Sequence, residues 1–307
     1  MNMGGKIFIE IVSYRDLELK RTIDSALSQA IHPEKLIFGI VHQYDEQTLR
    51  LLDEYRGDAR FKIMEIDWCE ARGVGFARAL AEMLYVDEEW VLQIDSHMQF
   101  GKGWDMELIR QWQMCNDSKA VLSTYPAWYR YEKKRNVPFE EMIDSKMEFD
   151  RSIDMGCRYE MIPKRNLLWP MQPRCVKVPS RQRASLKRAL CVAGGLEFFK
   201  GEALKDVKCV KDIEYNGEEI IRSAQFYTHG YNIYVPMVHI YHHYERVRVH
   251  RYKEDRANKK ETLQKGRYDQ FLAEEDSDTA RKALLAGEEK RGYMGKERSL
   301  RTFLEIV

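Results

Sequence analysis

Asp95 and His97 stand two residues apart at the end of the apolar run Trp90-Val-Leu-Gln-Ile94. Side chains at i and i+2 of an extended chain point the same way. The pair can therefore grip one divalent cation, a hard oxygen and a borderline nitrogen together. The plainer role for Asp95 is to cap the turn after a strand. Far downstream, His239, His242 and His243 place three of the chain's eight histidines within a pentapeptide. One such histidine needs no explanation, but three closing a strand suggest a ligand. His239 reads as structural, and His242 or His243 can complete the set begun by Asp95 and His97.

Three further clusters carry other chemistry. In Glu70-Ala-Arg72-Gly73-Val-Gly75-Phe-Ala-Arg78, glycines open a helix just after a strand and a loop. Glycine lets backbone approach a ligand closely and a helix N-terminus favours phosphate, while Arg72 and Arg78 can add charge-assisted bonds to a diphosphate. Ala193-Gly194-Gly195-Leu196 follows an apolar strand, Ala189–Val192. Paired glycines there either permit a tight turn or bring backbone amides to a sugar hydroxyl. Gly217-Glu218-Glu219 sets two carboxylates at the entrance to a helix. As helix-terminus charge each contributes under about 1 kcal/mol. As a functional group, one of them holds a sugar or assists its transfer.

These residues need a frame. Lys6–Ser13, Lys35–His42, Phe61–Ile66 and the run ending at Asp95 read as strands, the first and last of them buried, with Asp16–Gln29, Asp45–Tyr55 and Gly73–Leu84 as the helices between them. Such alternation implies an α/β fold with a parallel, doubly wound central sheet, whose ligands bind beyond the carboxyl ends of its strands. Ser13–Asp16, His42–Asp45, Asp67–Gly73 and Asp95–His97 all fall at those ends. This half lacks both G-x-G-x-x-G after its first strand and a GxxxxGK[ST] loop, which disfavours a dinucleotide dehydrogenase and a P-loop phosphotransferase. Trp104–Met114 is the next helix and Ala120–Tyr125 a short strand. Residues 126–190 lose periodicity and hold six of the eight prolines. Regular structure returns with a helix near 217–229 and a final strand Tyr231–His243. The expected layout is a catalytic domain over 1–244 and a charged helical tail over 245–307. Within the domain, 1–125 is a nucleotide-binding half, 126–189 a basic, aromatic insertion and 190–244 a sugar- and metal-binding half.

Composition sets outer bounds. The chain has 307 residues, 44% hydrophobic and 32% charged, which describes a soluble globular protein. No run approaches the roughly 18 apolar residues of a membrane span, and the first residues, Met-Asn-Met-Gly-Gly-Lys, lack an apolar signal region. A cytoplasmic location without a membrane partner is expected. The six cysteines form no CxxC pair, which argues against a structural zinc site or a redox motif, and they are expected to be reduced and mostly buried. The net charge is only +1, so an anionic partner must be served by a local patch.

The order of these motifs resembles that of metal-dependent glycosyltransferases of the GT-A type: Asp-x-His after a central strand, Ala-Gly-Gly-Leu, Gly-Glu opening a helix, then Pro and a later His. It is most similar to the retaining polypeptide N-acetylhexosaminyltransferases and, closer still, to the GlcNAc-transferase family that includes the cytoplasmic enzyme acting on hydroxyproline of Skp1. Gln93–His97, Ala193–Leu196, Gly217–Glu219 and Gly230–Pro236 carry the resemblance, which covers roughly residues 6–126 and 189–246. It implies a GT-A fold in which Asp95 and His97 hold Mn2+ or Mg2+ on the diphosphate of a UDP-sugar. In the polypeptide GalNAc-transferases the third ligand lies six residues after a proline, which at Pro236 implies His242. The resemblance further places the nucleoside near Ser13, Tyr14, Arg15 and His42, and the sugar against Arg78, Gly194, Gly195 and Glu218. The adjacent Glu219 leaves open which carboxylate faces the sugar. It also implies retention, with the acceptor hydroxyl attacking from the leaving-group side.

The acceptor must be read from the uncovered segments. Residues 158–188 carry nine Lys and Arg against Glu160 alone, a net +8, with Trp169 inside and Trp128, Tyr129 and Tyr131 upstream. Residues 246–267 add nine more against three acids. Basic patches interleaved with aromatics hold phosphate backbones and stack bases, although loops in this fold also close over UDP. The leading expectation is a transferase that moves GlcNAc to a protein or peptide Ser, Thr or hydroxyproline. A transferase acting on a hydroxymethylated base in DNA is the second reading. An inactive GT-A-like binding module is the third, and the intact Asp95, His97 and His242 count against it.

Overall fold

The computed structural model describes residues 5–132, 139–163, 171–182, 185–214, 217–245, 255 and 277–307. β1 (Ile7–Tyr14) is apolar on both faces through Val12 apart from Glu10, as a strand covered on both sides must be. It pairs in parallel with β2 (Leu36–Tyr44) and β4 (Trp90–Asp95), and β2 pairs in parallel with β3 (Phe61–Asp67). Beyond β4 the sheet turns mixed. β12 (Leu196–Lys200) runs antiparallel to both β4 and β6 (Ala120–Ser123), β13 (Asn232–Val235) is parallel to β6, and β11 (Lys187–Ala189) closes the edge antiparallel to β13. The order across the eight strands is β11-β13-β6-β12-β4-β1-β2-β3. Registers Val12↔Asp95 and Ser13↔His42 bring the carboxyl ends of β4, β1 and β2 level with one another.

Helices cover both faces. Leu19, Ile23 and Ala26 of α1 (Leu19–Gln29) pack with Ile9, Ile11, Leu92, Ile94 and Trp104, the last at the start of α3 (Trp104–Met114). On the other face Ala77 and Ala81 of α2 (Val74–Glu82) meet Val41, and Phe226 of α5 (Glu218–Thr228) packs with Phe8, Val91 and Phe199. A four-stranded sheet, β5 (Met98–Phe100), β14 (Ile240–His243), β7 (Ala127–Tyr131) and β8 (Met147–Phe149), stands beside the large one, with a hairpin of β9 (Cys157–Pro163) and β10 (Met171–Lys177). The stretch that lacks periodicity thus contains short strands and a five-residue helix, α4 (Phe139–Ile143). In the tail, α6 (Ser277–Lys290) and α7 (Leu300–Ile306) bury Leu284, Leu285, Leu300 and Phe303 against Ile220, Ile221 and Ala224 of α5.

Four expectations are corrected. Asp45–Tyr55 is a series of turns with one short 3-10 turn at Asp53–Tyr55. The Asp45 carboxylate accepts from the Thr48 amide at 3.0 Å and from its hydroxyl at 2.8 Å, side-chain bonds that compete with helix. Tyr231–His243 is two strands in two sheets, parted at Pro236, which has no amide to donate. The Gln111 side chain pairs there with both backbone groups of Met237. Ala189–Val192, expected as an apolar strand before the glycine pair, is not one: the strand there is β11, Lys187–Ala189, with its Lys and Arg exposed. Beyond it the amides of Val192 and Ala193 are taken by the hydroxyls of Ser223 and Ser123. Of the cysteines only Cys191 and Cys209 are buried, while Cys69 and Cys175 are exposed.

Gly75 shows how tightly α2 is seated. A Cβ on it would lie 2.2 Å from the Val210 carbonyl oxygen and 2.8 Å from that of Ile213. Gly75→Ala is therefore expected to cost about 1–3 kcal/mol, as overpacking against backbone does. Urea unfolding checks this, and an unchanged midpoint would contradict the packing.

Candidate active site

β4 ends at Asp95 and β5 begins at Met98, so the two-residue connection Ser96-His97 throws the His97 ring over the sheet edge. β14 supplies the third group from the small sheet. One ligand atom each from Asp95, His97 and His242 lies within 4.8 Å of the other two. His97 Nε2 is 2.9 Å from His242 Nε2, which is 3.2 Å from Asp95 Oδ2. Alternation along β14 sends His243 the other way, into the aromatic cluster with ring centroids 5.2 Å from Tyr129 and 5.3 Å from Tyr131. His242, not His243, faces Asp95 and His97.

The donor set suits a divalent cation. Two imidazole nitrogens and one carboxylate oxygen, all lone-pair bearers, converge on one point. His242 Nδ1 is buried without a hydrogen-bond partner among the described residues. Backbone approaches closely as well: a Cβ on Gly195 would sit 3.1 Å from Asp95 Oδ2. Burial opposes ionisation of Asp95, yet His242, His97 and Arg78 hold its carboxyl well below the usual carboxylate range.

Arg78 is the cationic centre beneath this point. Its side chain is 2% exposed and pairs with Glu218 at 2.5 Å, Glu10 at 3.5 Å and Asp95 at 3.6 Å. It also donates to the Gly194 carbonyl at 3.0 Å. A second buried guanidinium, Arg222, binds Glu197 at 3.1 Å and Glu82 at 2.9 Å. Sequence reasoning missed Glu10. Its signal was a lone acid inside an otherwise apolar strand.

Burial pushes the Glu10 carboxyl up to about 8, with Arg78 pulling against it. The folded state therefore holds a proton that the unfolded chain, titrating near 4.5, gives up. Stability from this group is intact below the lower value and is lost as pH climbs toward the upper one. Glu10→Gln cannot ionise and is expected to gain stability relative to the parent between about pH 5 and pH 8. Urea midpoints at the two ends check it, and a pH-independent difference would rule the assignment out.

The two adjacent glutamates have different partners. Glu218 is committed to Arg78, and burial raises its carboxyl despite that charge. Glu219 accepts from the Gly194 amide at 2.9 Å and from the Tyr125 hydroxyl at 2.8 Å, and burial pushes it up to about 7. Gly194, Gly195, Arg78, Glu218 and Glu219 thus gather beside the Asp95 group. Tyr125 is an unforeseen member.

At the ends of β1 and β2, Ser13 and His42 are register partners on one face. Ser13 Oγ and His42 Nδ1 are buried without a partner among the described residues, and burial lowers the His42 pKa so that the ring stays neutral. Arg15 takes a left-handed backbone with φ 50°, lies 4.2 Å over the Trp68 ring, and pairs with Asp45 at 2.9 Å and Asp255 at 2.8 Å. Tyr14 also donates to Asp255 at 2.9 Å.

Arg72 and Gly73 are placed differently from a phosphate cradle. The amides of Val74 and Gly75 donate to the Glu214 and Ile213 carbonyls at 2.8 and 2.9 Å, so those helix-terminal donors are already committed. Gly73, at φ 100°, permits the close approach of Glu214, and Arg72 stacks 5.1 Å from Phe76. In the basic insertion, Arg158 and Lys187 both pair with Glu160. Lys164, Arg165, Trp169, Arg183 and the 246–267 segment apart from Asp255 lie outside the described residues. Tyr129 and Tyr131 are core residues. No helix among the described residues is long and apolar enough to cross a membrane.

Comparison with solved structures gives the fold a family context. The crystal structure of GalNAc-T7 with UDP, GalNAc and Mn2+ aligns with a TM-score of 0.60 at 15% identity, over 81% of this chain and 45% of that one. The chain thus spans under half the length of that relative, and the likeness shows a shared GT-A fold. S. aureus TarS 1–349 in complex with UDP-GlcNAc aligns at 0.49 and 15% identity, over 91% of this chain and 71% of that one. The Pyrobaculum calidifontis mannosyltransferase PcManGT in complex with GDP-Man and Mn2+ aligns at 0.46 and 13% identity, over 77% and 58%. No curated protein matches in sequence. The family model described as Glycosyltransferase (GlcNAc) matches residues 6–56 and 52–307, nearly the whole length, and this chain belongs to that family.

Proposed function

We propose that this chain transfers a sugar, GlcNAc, from a UDP-sugar to an acceptor hydroxyl on a protein or peptide Ser, Thr or hydroxyproline, with retention and with a divalent cation bound. One observation carries the reading: Asp95, His97 and His242 converge at the carboxyl edge of the sheet, directly beside Gly195 and Arg78. Asp95, His97 and His242 would hold the cation, whose charge would offset that of the diphosphate leaving group. Arg78 adds fixed, buried positive charge at the same edge, where low polarity strengthens it. Ser13 and His42 offer buried polar atoms to the nucleoside. The Gly194-Gly195 turn keeps side chains out of the space a sugar would fill. Either carboxyl could accept from a sugar hydroxyl: Glu218 gives one oxygen to Arg78, and Glu219 gives one to the Gly194 amide and the other to the Tyr125 hydroxyl. GlcNAc as donor follows the family's description, and the UDP, GalNAc and Mn2+ of GalNAc-T7 support a UDP-sugar with a metal. Retention and the hydroxyl acceptor follow the resemblance.

The test is a donor screen. The protein with Mn2+ is offered a panel of UDP-sugars and UDP release is measured, with His97→Ala alongside. UDP-GlcNAc turnover that needs Mn2+ and vanishes in the variant supports the proposal. A wild-type protein that neither binds nor hydrolyses any UDP-sugar would falsify it. Arg158 and Lys187 share the single acid Glu160, while Arg174, Lys177, Arg181 and Arg188 are exposed. Retention on duplex DNA that weakens steeply with salt would favour the nucleic-acid acceptor over the protein one.

A further inference from the structure

A buried carboxylate outside the ligand set touches it directly. Asp16 is 1% exposed, and its Oδ2 lies 2.8 Å from His97 Nδ1 while accepting from the Ser96 hydroxyl at 2.7 Å. The other oxygen, Oδ1, accepts from the Glu18 amide at 3.0 Å, which fixes the carboxylate plane from the opposite side. The segment that carries Asp16 is pinned in turn. The Thr22 hydroxyl donates to the Ser96 carbonyl at 2.8 Å and accepts from the Met98 amide at 2.8 Å, clamping the connection that bears His97. Glu18 accepts from the Tyr129 and Tyr131 hydroxyls at 3.1 and 2.6 Å, tying the entry of α1 to β7. β7 is the parallel neighbour of β14, which carries His242. One short stretch, Asp16–Thr22, thus holds both ligand-bearing elements.

We propose that Asp16 is the positioning carboxylate of this metal site, acting on the cation through His97, an inference that rests on the metal-dependent reading above. A neutral imidazole can place its proton on either nitrogen, and only the Nδ1–H form leaves Nε2 free to bind a metal. A carboxylate at 2.8 Å from Nδ1 selects that form, fixes the ring plane and makes Nε2 a stronger donor. Nε2 is the atom that meets His242 and Asp95. The competing role is a turn former, for which the Oδ1 bond to Glu18 alone would suffice. That bond does not need Oδ2 turned toward His97.

The experiment uses the full chain and Mn2+ alone, with free Mn2+ followed by its paramagnetic resonance. Asp16→Asn is expected to bind Mn2+ about 10–100-fold more weakly, the usual cost of losing an outer-shell partner, with the metal-free unfolding midpoint recorded beside it. A folded Asp16→Asn that binds Mn2+ like the wild type overturns the proposal and leaves Asp16 a turn residue. Should the wild type take up no Mn2+, the metal-dependent reading and this inference fall together. A second measurement needs no variant. Imidazole 15N spectra of the metal-free wild type, at a pH where the ring is neutral, should show His97 protonated at Nδ1. Protonation at Nε2 would overturn the assignment whatever the variant does.

Discussion

Replacing His242 with alanine is expected to remove detectable Mn2+ binding and to lower UDP-sugar turnover by more than about 100-fold, since loss of an outer partner alone costs 10–100-fold. Its neighbour supplies the control. His243 is buried against Tyr129 and Tyr131, on the opposite face of β14. His243→Ala should therefore cost about 2–4 kcal/mol of stability by leaving a cavity, while Mn2+ affinity stays at the parent value. Mn2+ titration and urea unfolding on both variants give a crossed pattern. The reverse pattern, with metal lost at 243 and kept at 242, would exchange their roles and break the site as described.

Arg78→Met is expected to destabilise the fold by about 3–5 kcal/mol, the cost of leaving buried charge without its partner. The guanidinium sits among Glu218, Glu10 and Asp95 with its side chain 2% exposed, so water cannot replace it. Arg78→Lys should recover only part of the loss, because an ammonium cannot reproduce the planar fork that meets three carboxyl groups and the Gly194 carbonyl. Arg222→Met should also destabilise, since Glu197 and Glu82 lose their cation. Mn2+ affinity then separates the two: Arg78 touches Asp95, and Arg222 is paired elsewhere. An Arg78→Met protein with the parent's urea midpoint would show that these carboxylates are not held by it.

β1, β2 and β4 with α1 and α2 were legible because strands covered on both faces must be nearly all apolar, and the helices between them show their own spacing; β3, at the sheet edge, mixes Lys62, Glu65 and Asp67 with its apolar residues. Asp95 and His97 were legible for the same reason, marking where the β4 run stops. The choice between His242 and His243 was not legible from the residues. It depends on β14 joining a second sheet, whereas the pattern alone ran β13 and β14 together. Asp45–Tyr55 misled because Leu49, Leu52 and Tyr55 have helical spacing, while the Asp45–Thr48 bonds that cancel it leave no mark on hydrophobic pattern. Asp16 was placed at the binding edge, but its role and that of Tyr125 were missed because their partners, His97 and Glu219, lie 81 and 94 residues away. No local signal encodes such pairings.

The two histidines of the proposed metal site lie 145 residues apart, one following the last strand of the β1–β4 unit and the other on the final strand of the small sheet. A cation between them would act as a reversible staple across nearly half of the chain. The unfolded chain cannot present all three ligands at once without closing that loop, so the ion favours the folded form. Each tenfold rise in free ion above its dissociation constant should add about 1.4 kcal/mol to the unfolding free energy. A chelator would then act as a mild denaturant. Ion supply would set how long the protein survives as well as how fast it turns over.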